Sequence, residues 1–273
     1  MKNKMSMIVL SCDKFSGLWT DFFNLKDRFW PDCIYDWYVV TESVKFNRPD
    51  VTTILCGKDL NWAGRFRKAV QMVDTPYIGV FLDDFFIYDK VDNNLIEHLV
   101  SLMESNNISL INTANVFEWI INQPNKEYFD EHLIKIPQHL RWGISTESSI
   151  WDRNYLLEKL GEGDYSAWQF EIDRCNEAAS DAGLGGIILC DDRQPFKVTP
   201  TPVVIQGKFY PKAIQKFKKL GYNIDTSHLP IMTFKQVVLY DLKAYFAKLP
   251  FGKRFFKWIG KNVFGLKFFS DTL

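Results

Sequence analysis

Residues 75–90 read TPYIGVFLDDFFIYDK. Tyr77-Ile78-Gly79-Val80-Phe81-Leu82 is a run of strand length without polar alternation, which suits a strand covered on both faces. Pro76 stands just before it, where a missing N–H is tolerated. Two carboxylates, Asp83 and Asp84, follow at once. They therefore fall at the carboxyl end of a buried strand, the edge at which open α/β sheets hold their ligands. Adjacent carboxylates repel each other, and a divalent cation relieves that repulsion. The competing reading is that one aspartate caps a turn and the other is solvated.

Working outward, strands and helices alternate. MSMIVLSC reads as a first strand, and SGLWTDFFNLKDRFW as a helix with Leu18, Phe22, Leu25 and Phe29 on one side. IYDWYVV and VTTILC are the next strands, and NWAGRFRKAVQMV is a helix leading to the aspartate strand. NNLIEHLVSLMESN is a further helix before the strand ISLINT. This order predicts a mostly parallel, doubly wound sheet. Residues 113–145 are weakly patterned and read as loops and short helices. Beyond them come a strand end at SSIW, a helix from Asp152, a glycine-rich break and a helix from about Ser166. GLGGIILCDD and VTPTPVVIQG read as late strands. No G-x-G-x-x-G follows the first strand and no G-x-x-x-x-G-K-[ST] occurs, which argues against a dinucleotide site and a P-loop.

The chain of 273 residues is 47% hydrophobic and 16% aromatic, enough for a full core. Its five cysteines (Cys12, Cys33, Cys56, Cys175, Cys190) show no C-x-x-C spacing, so reduced thiols in a cytoplasmic protein are expected. The apolar start, Met5 to Cys12, meets Asp13 too soon for a signal sequence. Formal net charge is zero, but residues 205–273 hold 13 Lys and Arg against 3 Asp and Glu. That excess of basic groups points to an anionic partner. Nucleic acid is not expected, because the remainder is acidic and carries no nucleic-acid motif.

In order and spacing, SCDKFSGLW, NWAGRFRKAV, TPYIGVFLDDFFI, SSIWDRNYLLEKLGEGDYSAWQFE and VVIQGKFYPKAI resemble the GT-A-type glycosyltransferases of bacterial capsule and lipopolysaccharide gene clusters. The resemblance spans roughly Ser6 to Tyr222. It implies a GT-A-like (Rossmann-like) α/β fold over residues 1–204, with a nucleotide-sugar half to about 112 and an acceptor half from 113. It also implies an inverting transfer from a nucleotide-sugar donor, a UDP-sugar in the first instance, to a glycan or lipid-linked acceptor. Mn²⁺ or Mg²⁺ would sit on the donor diphosphate, held by Asp84, with Asp83 on the ribose or donor sugar. Leu82 occupies the first position of what is a D-x-D in the family. Ser11, Asp13, Glu42, Arg65 and Lys208 are implied donor contacts, with Cys12, Thr41, Arg141 and Arg153 as further candidates, and His228 a late metal ligand. Glu171 or Asp173 would be the general base, with Glu162 and Asp164 in reserve and Trp168 as a floor for an acceptor sugar. The alternative is a catalytically degenerate protein of the same fold that binds glycan or scaffolds an assembly complex.

The basic stretch FAKLPFGKRFFKWIGKNVFGLKFF, residues 246–269, places Phe255, Ile259, Val263 and Leu266 at helical spacing, with Lys253, Arg254, Lys257 and Lys261 in other directions. It reads as an amphipathic helix in an anionic membrane interface, peripheral on the inner face of the cell membrane. A helix docked on the protein itself is the other reading.

Overall fold

The computed structural model describes residues 3–114 and 118–248. The chain divides into two compact units, Met1–Pro202 and Val203–Leu273. In the first, β1 (Met5–Leu10), β2 (Asp36–Thr41), β3 (Val51–Leu55), β4 (Tyr77–Leu82), β5 (Ile108–Asn112), β6 (Leu133–Lys135), β7 (Ser149–Asp152) and β8 (Ile187–Asp191) form one sheet. Its order is β3-β2-β1-β4-β7-β5-β8-β6. Neighbours are parallel except where β7 lies antiparallel between β4 and β5, and where β6 lies antiparallel on β8. This is the mostly parallel, GT-A-like α/β fold that the sequence implies.

Helices cover both faces because the strands are apolar on both. On one face α1 (Trp19–Phe29) packs its aromatic side onto the sheet. Phe22 is fully buried there, edge-on to Trp37 and Phe81 with ring centroids 6.0 Å away in each case. α3 (Asn93–Asn106) buries Ile96, Leu99, Val100 and Met103, and the Asp92 side chain caps it by accepting from the Asn94 N–H. On the other face α2 (Trp62–Met72), α5 (Arg153–Leu160) and α6 (Ala167–Ala178) share one cluster with Ile8, Ile78, Val80 and Trp151. Burying one such side chain contributes about 1.5–3 kcal/mol. Asp152 and Ser166 cap α5 and α6 with their side chains.

Three elements differ from the sequence expectation. β6, at the sheet edge, arises inside the weakly patterned middle; three residues are too few for a periodicity to show. A short α4 (Glu118–Ile121) precedes it. The strand beginning at Ser149 runs against its neighbours, a direction that an apolar run does not encode. VTPTPVVIQG is not one strand: only β9 (Val204–Ile205) forms, paired with β10 (Lys208–Phe209) in the second unit. Pro200 and Pro202 cannot donate to a ladder. Gln206 and Gly207 take φ of 52° and 73°, the geometry of a two-residue hairpin turn. That unit continues with α7 (Pro211–Lys219) and α8 (Phe234–Lys248). Beyond Lys248 the basic stretch lies outside the described residues. Among those described, no helix is long and apolar enough to cross a membrane.

Asp164, in the glycine-rich break, caps α2: its carboxylate accepts from the N–H of Asn61 (2.9 Å) and of Gly64 (3.0 Å). Asp164→Ala is expected to lower unfolding stability by about 1 kcal/mol, as loss of an N-cap does. Urea denaturation would measure it, and an unchanged midpoint would show that the cap contributes nothing.

Candidate active site

The sheet order reverses between β1 and β4, so the chain leaves a crevice at their carboxyl ends. The register pairs Leu10 with Leu82, which sets the next residues, Ser11 and Asp83, side by side. Ser11 Oγ donates to Asp83 Oδ2, and Trp19 Nε1 donates in turn to Ser11 Oγ at 2.7 Å. Asp83 is thus held from one side and is only 5% exposed. Burial first, then the neighbouring Asp84 carboxylate, push its pKa well above the usual range. Burial also raises that of Asp84.

The antiparallel β7 brings a second set of groups to the same edge. Val80 pairs with Ser149, so the residues preceding Ser149 run alongside Leu82 and the aspartate pair. Thr146 donates to Glu171 Oε1 twice, from its N–H at 3.0 Å and its hydroxyl at 3.1 Å. This fixes the Glu171 carboxylate, which projects from the first half of α6. Glu147 adds another acid. Burial, then Glu171, then Asp84 push its carboxyl up to about 7. Burial raises Glu171 as well, partly offset by the Thr146 hydrogen bonds. Asp83, Asp84, Glu147 and Glu171 therefore gather with no salt bridge to any of them among the described residues.

Glu147 is the residue that the sequence reading missed. Its signal was available only in part: an acid two residues before an apolar run, meaningful once that run is known to be antiparallel.

A second strand-end pair, Asp191-Asp192 after β8, makes the contrast clear. Arg193 grips Asp191 with two bonds, Nε to Oδ1 at 2.9 Å and Nη2 to Oδ2 at 2.7 Å. His132 Nδ1 lies 3.0 Å from Asp192. That pair carries its counter-charge within the protein. The Asp83-Asp84 pair has none among the described residues.

The other candidates take varied positions. Asp13 accepts from the Thr41 hydroxyl (2.9 Å) and from the N–H groups of Ser43 (2.8 Å) and Val44 (2.9 Å), and the Ser43 hydroxyl also donates to it. It therefore shapes the loop after β2, and its pKa lies below the ordinary range through those bonds. The Asp13 N–H donates to Glu42, whose other oxygen pairs with Arg65 at 2.7 Å. Cys12 is half-buried beside them, its thiol pKa raised by burial and then by Asp83 and Glu42. These groups line the β1–β2 side of the crevice. Asp173 accepts from Gln169 Nε2 at 2.8 Å within α6, and Trp168 stands 65% exposed in that helix's first turn. Glu162 and Arg141 are exposed.

Arg153 corrects an expectation. Asp152 pairs with Tyr77, the first residue of β4, so Arg153 lies at the opposite sheet edge from the aspartates. Its guanidinium donates to Val70 O at 3.0 Å and Gln71 O at 3.4 Å, closing the end of α2. Lys208 and His228 belong to the second unit. His228 meets the Phe209 ring edge-on, and its Nε2 is buried without a hydrogen-bond partner among the described residues.

The donor set suits a hard cation, since carboxylate oxygens are its preferred ligands. Among the described residues, no group of three or more His, Cys, Asp or Glu side chains is arranged to hold a metal ion. Two adjacent carboxylates fit a cation that takes its remaining ligands from substrate phosphates and water.

No family model matches the chain, and no curated protein matches it either. Among solved structures, the bifunctional IspDF from Campylobacter jejuni aligns with a TM-score of 0.37 and 15% identity, covering 69% of this chain and 49% of that one. S. aureus TarS aligns with a TM-score of 0.44 and 11% identity, covering 70% of this chain and 35% of TarS. The chain thus spans half or less of the length of each of these neighbours.

Proposed function

We propose that this protein is an inverting, metal-dependent glycosyltransferase of hexosyltransferase type, moving a sugar from a nucleotide-sugar, such as a UDP-sugar, to a glycan or lipid-linked acceptor in surface-polysaccharide synthesis. One observation carries the reading: the Asp83-Asp84 pair at the sheet's switch point has no salt bridge among the described residues and shares its edge with Glu147, which lies within electrostatic reach of both Asp84 and the fixed Glu171 of α6. A diphosphate donor brings further negative charge to this place, so a cation must come with it. Asp84, with Asp83 beside it, would hold Mn²⁺ or Mg²⁺, whose charge offsets that of the departing nucleoside diphosphate. Ser11, Glu42 and Arg65 line the side suited to ribose and base, with Asp13 shaping their loop.

The acceptor hydroxyl oxygen bonds to the anomeric carbon as the sugar–phosphate bond breaks, and the nucleoside diphosphate leaves with the bonding electrons. The hydroxyl proton passes to Glu171. Thr146 occupies Oε1 of this group and leaves Oε2 for the proton, which makes Glu171 the better-positioned base than Asp173 or Glu147. Residues 246–269 would bring the enzyme to an anionic membrane face.

Asp84→Asn is expected to abolish the rise in melting temperature that Mn²⁺ plus a nucleoside diphosphate gives the wild type. The substitution removes a buried, unpaired charge, so the unliganded protein should melt no lower. The pH sign follows from the raised pKa values. Between the ordinary carboxylate range and about 7, the folded state binds more protons than the unfolded one. Unliganded stability therefore falls as pH rises through that window, and the Mn²⁺–nucleotide shift should be larger at pH 8 than at pH 6. An equal shift at both pH values, or one that survives in Asp84→Asn, removes these carboxylates from the metal's surroundings.

Glu171→Gln should keep donor binding and reduce turnover by roughly 10²–10⁴-fold. Glu147→Gln should cost less; the reverse order of losses would transfer the base role to Glu147. Deleting residues 249–273 should release the protein from phosphatidylserine vesicles, and undiminished vesicle binding would remove the membrane role from the tail.

A further inference from the structure

The segment joining β6 to β7 contains an unusual backbone. Trp142 has φ of 63°, in the left-handed region. That region is disfavoured for a bulky side chain, and its usual occupant is glycine. A glycine stands next door, yet Gly143 is not used for this purpose and keeps an ordinary φ. Packing fixes it instead: a Cβ there would lie 2.9 Å from Ile136 Cγ2 and 3.0 Å from Leu140 O. Burial of the indole does not account for the conformation, because Trp142 remains 43% exposed. A strained residue held in place with its large apolar ring in water is an outlier that calls for a function.

Its neighbours say where that backbone is. The Trp142 N–H donates to Cys175 Sγ at 3.3 Å, and Thr146, four residues on, donates to Glu171. Cys175 and Glu171 are one turn apart on α6, so the segment is fastened along one side of that helix. Trp168 is a further turn toward the helix start, three residues before Glu171, and is 65% exposed. The three residues Trp168, Glu171 and Cys175 form a stripe about 10 Å long at 1.5 Å rise per residue. Trp168 stands at one end, the backbone of the exposed Trp142 is fastened at the other, and the fixed glutamate stands between them. Tryptophan faces are suited to the C–H faces of pyranose rings, being flat, apolar and rigid.

We propose that Trp142 and Trp168 are paired stacking platforms of an acceptor subsite centred on Glu171, and that the acceptor is a saccharide of at least two rings. This rests on the glycosyltransferase reading above and narrows its acceptor class. The strain at Trp142 is the conformational cost of presenting that ring.

The test compares the full-length wild type with Trp142→Gly and Trp168→Ala on a printed array of mono-, di- and trisaccharides. Melting with Mn²⁺ plus UDP is measured in parallel. The wild type should bind printed di- or trisaccharides and not the monosaccharides. Each variant should weaken that binding about tenfold, as loss of one aromatic contact does. Both should retain the Mn²⁺–UDP shift. Trp142→Gly also relieves the left-handed strain, so it should melt at or above the wild-type temperature. Wild-type binding to monosaccharides alone, or to no saccharide, overturns the proposal, as does wild-type affinity in Trp142→Gly. A fall in the Trp142→Gly melting temperature with unchanged saccharide binding would assign Trp142 to packing and equally overturn it. Loss of the Mn²⁺–UDP shift in the wild type itself would strike the donor reading instead, so the two failures are distinguishable.

Discussion

Negative charge without an internal counter-charge, at the end of a buried strand, is the constraint on which the rest of this site depends. Asp83 is buried beside Asp84, and among the described residues Ser11 supplies the side-chain hydrogen bond that reaches it. A neutral donor cannot cancel a carboxylate's charge; it stabilises the ionised form only in part. Trp19 orients Ser11, and Trp19 is itself anchored in the aromatic layer between α1 and the sheet. The site therefore stands on that layer. Its hydrogen-bond chain runs from a core indole through a hydroxyl to the carboxylate at the crevice.

The comparison with Asp191-Asp192 shows why local sequence cannot identify such a place. FLDD and ILCDD both put two aspartates after an apolar strand. After β8 the very next residue, Arg193, folds back onto Asp191, and His132 arrives from the edge hairpin to meet Asp192. After β4 the next residues are Phe85 and Phe86, which go into the core. One pair is a closed ion cluster that serves the fold. The other has no salt bridge among the described residues.

Much of this was legible in the residues. The parallel half of the sheet follows from apolar runs separated by amphipathic helices, and the aspartates follow from where one of those runs ends; Glu171 was singled out by the family resemblance alone. What was not legible depends on direction and on long-range pairing. β7 has the same composition as a parallel strand, yet its reversal is what carries Thr146 and Glu147 to the aspartate edge and Arg153 away from it. Asp13 and Asp164 look like free carboxylates in sequence, but both are used up by backbone N–H groups of loops and helix starts. Short polar residues favour such local bonds, and nothing in a lone Asp distinguishes that use from ligand binding.

The reversed strand also explains how Thr146 and Glu147 reach the aspartate edge from an element other than those that carry Ser11, Glu42 and Asp83. β1, β2 and β4 pair in parallel, and Ser11, Glu42 and Asp83 follow their carboxyl ends. β7 enters from the opposite direction, so its approach segment, with Thr146 and Glu147, reaches that edge before the strand begins. Thr146 and Trp142 fasten that segment along α6, at Glu171 and Cys175. A segment held at two points one helical turn apart cannot relax each of its residues independently. The unfavourable φ at Trp142 persists for that reason. The Thr146 end of that segment fixes the Glu171 carboxylate and its Trp142 end is tied to Cys175, so the set of Glu171 and the backbone of Trp142 are consequences of one piece of chain.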